Sequence, residues 1–482
     1  MTGPRLLSVL SPLGVCALLV GWFALASAGN SWGSGSILLY GLANLIALTD
    51  ALDYALRLYM RRRHTATGRE GDENRDLSIN LADALPQGAR HLVPIQPFAI
   101  IASVHNLEPE LEAFMEAFQP YRERVWLIND GSTDNTAGRL RQAGWRCLDG
   151  GINRRKPGAI RALLEKLPAH IATVLVVDPD IRIRGRNAGS SIDLERFVAD
   201  FQQSGAAAVC PRIMIEPDGF LARFQAFEYA LAFRIGRASL ADFSITSGVS
   251  LYRRDALERA LQLHSMSVYA EDFENAVLLL SQRERIYYDG RLVVSTEGPG
   301  LLRRWFSQRV GWYYGLLKVY TERFGRIWRI SRQSPFATYH FIVYVGGLSL
   351  AMHVLKMASA LLLVISFGSG VQRLLTGDWS SASALTDPAY FTTAVGSYLA
   401  LGVVALFVTV PRGERSYVAP VVPLYLFYAL VHIAPMSVGF GNWVALKLWR
   451  RRLFQDHYEP RPHAGEDVRG PQPDEDSIRG AA

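Results

Sequence analysis

The sequence predicts an integral membrane protein in which an α/β domain is inserted between transmembrane α-helices. Of its 482 residues, 49% are hydrophobic, which is high for a soluble protein, and the apolar residues gather in long runs near both ends. Between these runs, residues 96–300 alternate strand-like and helix-like segments. Arginines cluster beside the apolar runs, as expected where a chain leaves a membrane on its cytoplasmic side.

Two apolar segments predict two transmembrane helices within residues 1–64. Residues 6–28 carry no charge and are long enough for a helix to cross the hydrocarbon layer. A cleaved signal peptide is the alternative, but a second apolar run at 36–60 follows at once and favours membrane helices. The basic segment Arg61–His64 predicts that both ends of this hairpin lie in the cytoplasm. The polar residues 65–95 are interpreted as a linker.

The soluble domain begins with a regular alternation of strands and helices. Buried strands are predicted at 98–104, 124–130 and 173–180, and helices at 108–118, 133–144 and 157–167. The helix at 133–144 has Ser132 or Thr133 as its expected cap and Gly144 at its end. The alternation predicts a parallel sheet with its ligands at the carboxyl edge.

Membrane character returns after the domain. Residues 301–335 combine Arg, Trp and Tyr with aliphatic residues, which predicts amphipathic helices at the membrane interface. Further transmembrane helices are predicted within 336–450, in apolar runs at 336–368, 390–410 and 416–447, and a polar cytoplasmic tail within 451–482.

The last apolar run raises a problem of topology. Basic segments flank it at 411–415 and 447–452, and if both are cytoplasmic the run must enter and leave on one side. It is too short to span the membrane twice. Either part of it is re-entrant or interfacial, or the orientation rule fails once.

Composition excludes several other classes of protein. The three cysteines, Cys16, Cys147 and Cys210, are far apart, so neither a disulfide framework nor a zinc site is predicted. The net charge is +7, but no aromatic and basic stretch resembles an RNA-binding module. The basic residues therefore indicate a membrane surface and no nucleic acid.

Acidic residues follow two of the predicted strands. "LINDGSTDN" places Asn129 and Asp130 at the end of one strand, and "VLVVDPD" places Asp178 and Asp180 at the end of another. In an extended chain Asp178 and Asp180 point to one side, and they would form a hard-oxygen site for Mg²⁺ or Mn²⁺ that also holds a diphosphate. The alternative is a turn in which aspartate is simply common.

Two further motifs carry charged groups. In "YAEDFENAVLL", Glu271 and Asp272 begin a helix, where acids often serve only the helix dipole. A carboxylate near a bound sugar could instead accept a proton from an incoming hydroxyl. In "NRRKPGAIRALL", Lys156 precedes a helix start and could meet a phosphate, although a solvated lysine is the alternative.

The order of these motifs resembles one family. NDGSTD, NxxKxxA, DPD, AED and the QxxxW of "SQRVGWYYG", between membrane helices, resemble the processive membrane polysaccharide synthases of glycosyltransferase family 2. Cellulose, hyaluronan, chitin-oligomer and poly-N-acetylglucosamine synthases belong to that group. The resemblance covers residues 95–320 by motif and implies a GT-A catalytic domain docked on a transmembrane bundle.

The resemblance also implies roles for individual residues. The general base would be Asp272, and the Mg²⁺ or Mn²⁺ ligands would be Asp178 and Asp180. The donor would be bound by Asn129, Asp130, Lys156 and Asp178. The acceptor would meet Glu271, Gln308 and Trp312, with 247–257 lining its path.

The sequence departs from the family pattern at two positions. Leu107 stands where the first motif has Glu, and Gly311 replaces the arginine that helps to hold the diphosphate. Arg303, Arg304 or Arg309 could take over that arginine's role, since arginine is long and forked. We hypothesise that Gly311 makes room for a bulkier acceptor or a displaced gating segment; neutral drift is the alternative.

The resemblance implies an inverting enzyme of the inner membrane, multi-pass, with a cytoplasmic catalytic domain. It would polymerise a sugar from a UDP-sugar into a β-linked polysaccharide and translocate the chain. Its partners would be the donor, the growing polysaccharide, membrane lipid and subunits of a secretion complex. The alternatives are a transferase that adds one sugar to a lipid phosphate carrier or glycolipid, and a degenerate protein that only binds nucleotide-sugar.

Overall fold

The computed structural model describes most of the α/β domain and of the C-terminal helices. The described residues are 39, 41–65, 95–185, 189–267, 269–378 and 387–449. The helix predicted at 6–28, nearly all of the linker and the tail lie outside them.

A mixed eight-stranded sheet with the order β3-β2-β1-β4-β7-β6-β8-β5 forms the centre of the α/β domain. The strands are β1 (Phe98–Val104), β2 (Val125–Asn129), β3 (Cys147–Asp149), β4 (Thr173–Val176), β5 (Arg182–Ile183), β6 (Ala208–Ile215), β7 (Ser250–Arg253) and β8 (Ile286–Thr296). Strands β1 to β4 are parallel, but β7 runs antiparallel to both β4 and β6. The prediction of a parallel sheet is therefore confirmed for β1 to β4 but wrong for the sheet as a whole, because the predicted strands ended at residue 180, before β5 to β8.

Helices cover both faces of the sheet. They are α2 (Leu111–Phe118), α3 (Thr136–Gln142), α4 (Arg155–Leu164), α5 (Leu194–Ser204), α6 (Gly219–Leu231), α7 (Arg254–Leu263) and α8 (Glu271–Ser281), preceded by α1 (Leu45–Thr65). Successive residues of β1 enter opposite cores: Ile101 packs with α4, α7 and α8, whereas Ile100 packs with α2 and α5. Burial on both faces explains the uninterrupted apolar sequence of β1.

Helix α3 begins later than its predicted cap. The Asp134 carboxylate accepts a hydrogen bond from the backbone N–H of Thr136, at 3.0 Å, and forms a local turn before the helix. The side chains of Ser132 and Thr133 instead face the preceding loop, where both contact Asn106.

The C-terminal part is helical. Its helices are α9 (Leu302–Glu322), α10 (Phe324–Ser331), α11 (Pro335–Thr338), a π-helical segment (Tyr339–Ala351), α12 (His353–Thr376), α13 (Ala389–Val408), α14 (Arg412–Val418) and α15 (Tyr425–Trp449).

Among the described residues, three segments are long and apolar enough to cross a membrane: His353–Thr376, Ala389–Val408 and Arg412–Trp449. All three follow the α/β domain. Helix α1, in the second predicted span, carries Asp50, Asp53 and Arg57 and is not among them. The described part of the chain therefore places the domain ahead of the apolar helices, which corrects the prediction of a domain inserted between spans.

The last apolar run contacts the α/β domain near its start and α9 near its end. Glu414 in α14 pairs with Arg212 of β6 at 2.6 Å, and Lys447 in α15 lies 3.9 Å from Glu322 of α9. Between these ends, α15 packs along α9 so closely that a Cβ on Gly439 would meet the α9 backbone at 3.0 Å. Because Arg412–Trp449 is also among the segments long and apolar enough to cross a membrane, both alternatives for this run stay predictions.

Candidate active site

Three strands deliver polar residues to one edge of the sheet. Strand β1 lies between β2 and β4, and its last residue, Val104, pairs with Asn129. Because the carboxyl ends of parallel strands meet at the same edge, Asp130 after β2 and Asp178 after β4 emerge side by side. The structure thus brings together the two acidic motifs that the sequence singled out.

Asp130 organises the loop that leads to α4. It is only 2% exposed, and its Oδ1 accepts a hydrogen bond from the backbone N–H of Arg154 at 2.7 Å. Burial raises the pKa of Asp130. Asn129, also buried, accepts a bond from the backbone N–H of Ser132 through Oδ1. Both side chains hold turns at the edge of the sheet, and one of these turns positions Lys156.

Lys156 connects the strand edge to α8. Its Nζ lies 2.5 Å from Asp178 Oδ1 and 2.9 Å from Glu271 Oε1. Burial lowers the pKa of Lys156, but the carboxylates of Asp178, Glu271 and Asp272 outweigh burial and raise it well above its ordinary value. The lysine therefore stays charged. Glu271, predicted to meet the acceptor, lies in this ion pair.

Asp178 is held in a confined position. Burial raises its pKa to about 6, with Asp180 and Glu271 adding to the shift and Lys156 opposing it. Its second oxygen faces the backbone of Gly248, where an added Cβ would lie 2.0 Å from Oδ2. Only glycine leaves room for the carboxylate here. Asp180, two residues after Asp178, accepts a hydrogen bond from Thr296.

Changing Gly248 to alanine is expected to displace the Asp178 carboxylate. A shift of about 1 Å in a positioning group lowers turnover on the order of 100-fold, so kcat should fall and the donor KM should rise. Gly185→Ala is the matched control, because nothing lies within 4 Å of its added Cβ. Steady-state kinetics of both variants test the expectation, and wild-type kinetics for Gly248→Ala would contradict it.

Asp272 lies in the first turn of α8. The preceding Ala270 has a φ of +52°, an unusual left-handed conformation for a residue with a Cβ, and Thr246 Oγ1 donates to the backbone oxygen of Asp272 at 2.6 Å. Burial, and then Glu271, raise the pKa of Asp272 to about 7, although nearby cations oppose the shift. A carboxylate with a pKa near neutrality is suited to accept a proton.

Helix α9 presses on the turn that holds Asp272. An added Cβ on Gly315 would lie 2.8 Å from the backbone of Tyr269 and 2.9 Å from Ala270 Cβ. Gln308 and Trp312 precede Gly315 by seven and three residues, so the three share one face of the helix. The predicted acceptor residues therefore lie on the face that meets the turn before Asp272.

The arginines near Gly311 occupy different environments. Arg309 is 1% exposed, and its Nη2 lies 2.7 Å from Glu228 Oε2 of α6. Its guanidinium also lies 4.0 Å from the centre of the Trp312 ring. Arg303 and Arg304 are exposed in the first turn of α9. Of the three arginines that could replace the missing diphosphate-binding arginine, Arg309 is thus already paired with a carboxylate of the domain.

Arg237 is a cation near Asp272 that sequence reasoning missed. It lowers the pKa of Asp272, and it lines a cavity of about 430 Å³ between the α/β domain and the C-terminal helices. Tyrosines and carboxylates share the wall: Tyr344, Tyr398, Tyr425, Asp50, Asp53 and Glu228. No motif marks Arg237, which lies in a short helical turn (Arg237–Ser239) that follows α6.

The carboxylates at this edge of the sheet suit a hard divalent cation. The described residues include no group of three or more His, Cys, Asp or Glu side chains that could hold a metal. Mg²⁺ is usually held by only one or two carboxylates, with substrate phosphates and waters completing its shell. Asp178 and Asp180 supply two such carboxylates, so the residues fit a cation held jointly with a diphosphate. Lys156 would then share Asp178 with that cation.

The comparisons identify the class of this site. Residues 99–261 match glycosyl transferase family 2, so the chain contains a family 2 domain and is a glycosyltransferase. The match includes Asn129, Asp130, Lys156, Asp178 and Asp180, but it ends before α8 and α9.

Solved structures show weaker likenesses, and no curated protein matches the chain significantly. The mannosyltransferase PcManGT from Pyrobaculum calidifontis, in complex with GDP-Man and Mn²⁺, is 16% identical, with 86% of this chain and 100% of that chain covered and a TM-score of 0.45. Glucosyl-3-phosphoglycerate synthase from Mycobacterium tuberculosis, with Mn²⁺ and UDP-glucose, is 15% identical, with 52% and 84% covered and a TM-score of 0.30. The family match, rather than these likenesses, identifies the domain.

Proposed function

We propose that the chain is a membrane-embedded inverting transferase that uses a UDP-sugar to extend a β-linked polysaccharide. One observation carries the proposal. Asp272, with a pKa raised to about 7, stands beside the Lys156–Asp178 ion pair and beneath the helix that bears Gln308 and Trp312. A proton acceptor, a diphosphate site and a candidate sugar platform thus converge at one edge of the sheet.

The reaction would be a single displacement. Asp178 and Asp180 would hold Mg²⁺ or Mn²⁺, which when bound offsets the charge of the diphosphate, and Lys156 adds a positive charge beside Asp178. Asp272 accepts the proton of the acceptor hydroxyl. At the same time the hydroxyl oxygen bonds to the anomeric carbon of the donor sugar, and the bond between that carbon and UDP breaks. Attack opposite the leaving group inverts that carbon.

The cavity beside Arg237 supports a carbohydrate acceptor. Its tyrosines can stack on sugar rings, and its carboxylates can accept hydrogen bonds from hydroxyl groups. Asp50, Asp53 and Glu228 would oppose a lipid phosphate there, because Arg57 is already paired with Asp53 at 2.8 Å and Arg309 with Glu228 at 2.7 Å. The cavity therefore favours a growing polysaccharide over a lipid phosphate carrier.

Charge distribution supports a cytoplasmic position for the domain in an inner membrane. Basic residues at 61–64, 411–415 and 447–452 flank apolar segments next to the domain. The polysaccharide would pass the membrane beside the apolar helices, with secretion-complex subunits as further partners.

The test is transfer by the full chain in lipid discs, supplied with single UDP-sugars and Mg²⁺ or Mn²⁺. We expect UDP release and a long polymer from one or two donors, with Asp272→Asn as the inactive control. Transfer of a single sugar, and only after a lipid acceptor is added, would establish the non-processive alternative. No transfer from any UDP-sugar would overturn the proposal.

The space at Gly311 gives a second test. Gly311 is buried in α9, where glycine costs about 1 kcal/mol relative to alanine. If the space serves the acceptor, Gly311→Arg should reduce turnover or shorten the product. Gly311→Ala should keep the activity and stabilise the helix. The product sizes of the two variants are compared with that of the wild type. An unchanged product from Gly311→Arg would refute the idea that this position leaves space for the acceptor.

A further inference from the structure

A second, larger cleft lies at the far end of α8 from Asp272. Its volume is about 940 Å³, and its walls are α10 and the turn that follows α8. Phe243 lies in its wall and is buried. None of the residues assigned above to donor, acceptor or proton transfer lines this cleft, so the proposed transfer reaction leaves it without a role.

The cleft is strongly basic. Four arginines line it: Arg283, Arg285, Arg329 and Arg332. Of its two acids, Glu284 is already paired with Arg253 and Arg259, at 2.8 and 2.7 Å. Asp242 therefore remains as the acid that opposes four guanidinium groups. An anion that enters the cleft would relieve this excess of positive charge.

Helix α10 has the composition of a segment at a membrane surface. Ile327 and Ile330 are fully buried against the domain, whereas Phe324 and Trp328 are about half exposed, with stacked rings 6.5 Å apart. Only the short helix α11 separates α10 from the apolar segment that leads into α12. Exposed aromatic residues beside arginines, just ahead of an apolar helix, are typical of the membrane–water interface.

Ionic and polar contacts fasten α10 to α8. Arg323, at the start of α10, lies 2.6 Å from Glu274, one turn beyond the catalytic end of α8. Arg326 donates to Ser281 at the other end of α8, at 3.2 Å. Burial and the neighbouring Arg323 and Arg329 lower the pKa of Arg326, which reflects the crowding of cations along this helix.

We propose that this cleft binds the phosphate headgroup of an anionic phospholipid and that the bound lipid holds α10 against α8. Arg329 and Arg332 would donate to the phosphate oxygens from the exposed side of α10, with Arg283 and Arg285 opposite. The exposed aromatic pair favours a lipid over a soluble phosphate, because it gives acyl chains an apolar surface beside the basic cleft. Lipid composition would then influence the helix that carries Asp272.

The test compares the full chain in discs of phosphatidylcholine with discs that also contain phosphatidylglycerol. The variant is Arg329→Gln/Arg332→Gln. The control is Arg146→Gln/Arg161→Gln, which removes the same charge from arginines that are 44% and 50% exposed elsewhere on the domain. Retention of phosphatidylglycerol is measured by mass spectrometry after exchange, and UDP release is measured in both discs.

Phosphatidylglycerol should be enriched around the wild type and the control. The cleft variant should lose that enrichment by about fivefold or more for each arginine removed. The control should retain the enrichment and any stimulation of UDP release. Equal retention by variant and control would overturn the proposal. If no preference for phosphatidylglycerol is seen and millimolar inorganic phosphate displaces the retained lipid, the cleft would bind a soluble phosphate. That result would also refute the lipid site. Retention is measured without donor, so it separates this proposal from the proposed transferase activity.

Discussion

Asp272→Asn is expected to lower the rate of sugar transfer by about 1,000-fold and, at the same time, to raise the thermal stability of the protein. Asparagine keeps the shape of aspartate but cannot accept the acceptor's proton. It also removes a buried charge whose pKa lies near 7 because of burial and the neighbouring Glu271. The gain in unfolding free energy should be roughly 2 kcal/mol above neutral pH, after allowance for partial solvent contact.

The raised pKa of Asp272 predicts opposite effects of pH on activity and on stability. The base works only when it is deprotonated, so kcat/KM should rise with pH and level off above about 7. The folded-state pKa lies above the ordinary value of 3.8, so the folded protein favours the protonated form. The contribution of Asp272 to stability is therefore most favourable below about pH 4 and is lost as pH rises towards 7.

The control for these effects is Asp218→Asn. Asp218 precedes α6, and its side chain makes no capping hydrogen bond there. Melting curves and UDP-release assays of both variants, from pH 5 to pH 9, test the expectation. If Asp272→Asn kept a tenth of the activity, Asp272 would not be the base. If it melted earlier than the wild type, the buried charge of Asp272 would not be destabilising.

The sequence predicted the edge of the sheet well because its signals are local. Long apolar runs identified β1, β2 and β4, and the polar residues directly after them had to emerge at one edge. The structure places Asp130 and Asp178 there, with Lys156 at the start of α4. The binding roles proposed for these residues stay predictions.

The partners of these residues could not be read from the sequence. The contact between Lys156 and Glu271 joins segments 115 residues apart in the chain, and only the folded α8 brings them together. Gly248 lies in the segment 247–257 that the resemblance assigned to the acceptor path, yet in the structure it sets the space for Asp178. Long-range packing also explains why Arg237 was missed, since it lies in a short turn after α6, 35 residues from Asp272 in the chain.

Charge rules alone also could not settle the last apolar run. Its hydropathy predicts a membrane-spanning segment, whereas its basic flanks predict that both of its ends lie on the cytoplasmic side of the membrane. In the structure α15 lies along α9, Glu414 pairs with Arg212 of β6, and Lys447 lies near Glu322 of α9. A helix pair of this kind joins the membrane segment directly to the surface that bears Gln308 and Trp312.

Arg309→Gln is expected to destabilise the junction between the domain and α15 by about 3 kcal/mol. The change leaves Glu228, which also accepts a hydrogen bond from Tyr428 at 2.7 Å, without its guanidinium partner. It also removes the cation that lies over Trp312. Melting of the variant in lipid discs measures the loss, and Arg303→Gln, from the exposed first turn of α9, is the matched control.

The double variant Arg309→Gln/Glu228→Gln decides between two roles for Arg309. If the arginine serves mainly to pair Glu228, neutralising both partners removes the unpaired charge, and both stability and the donor KM should return towards wild type. If Arg309 instead replaces the family's diphosphate-binding arginine, the double variant should recover stability but keep a raised donor KM. The buried ion pair favours the first outcome. It would mean that Gly311 marks a site that works without an arginine from α9, with Lys156 as the cation beside Asp178.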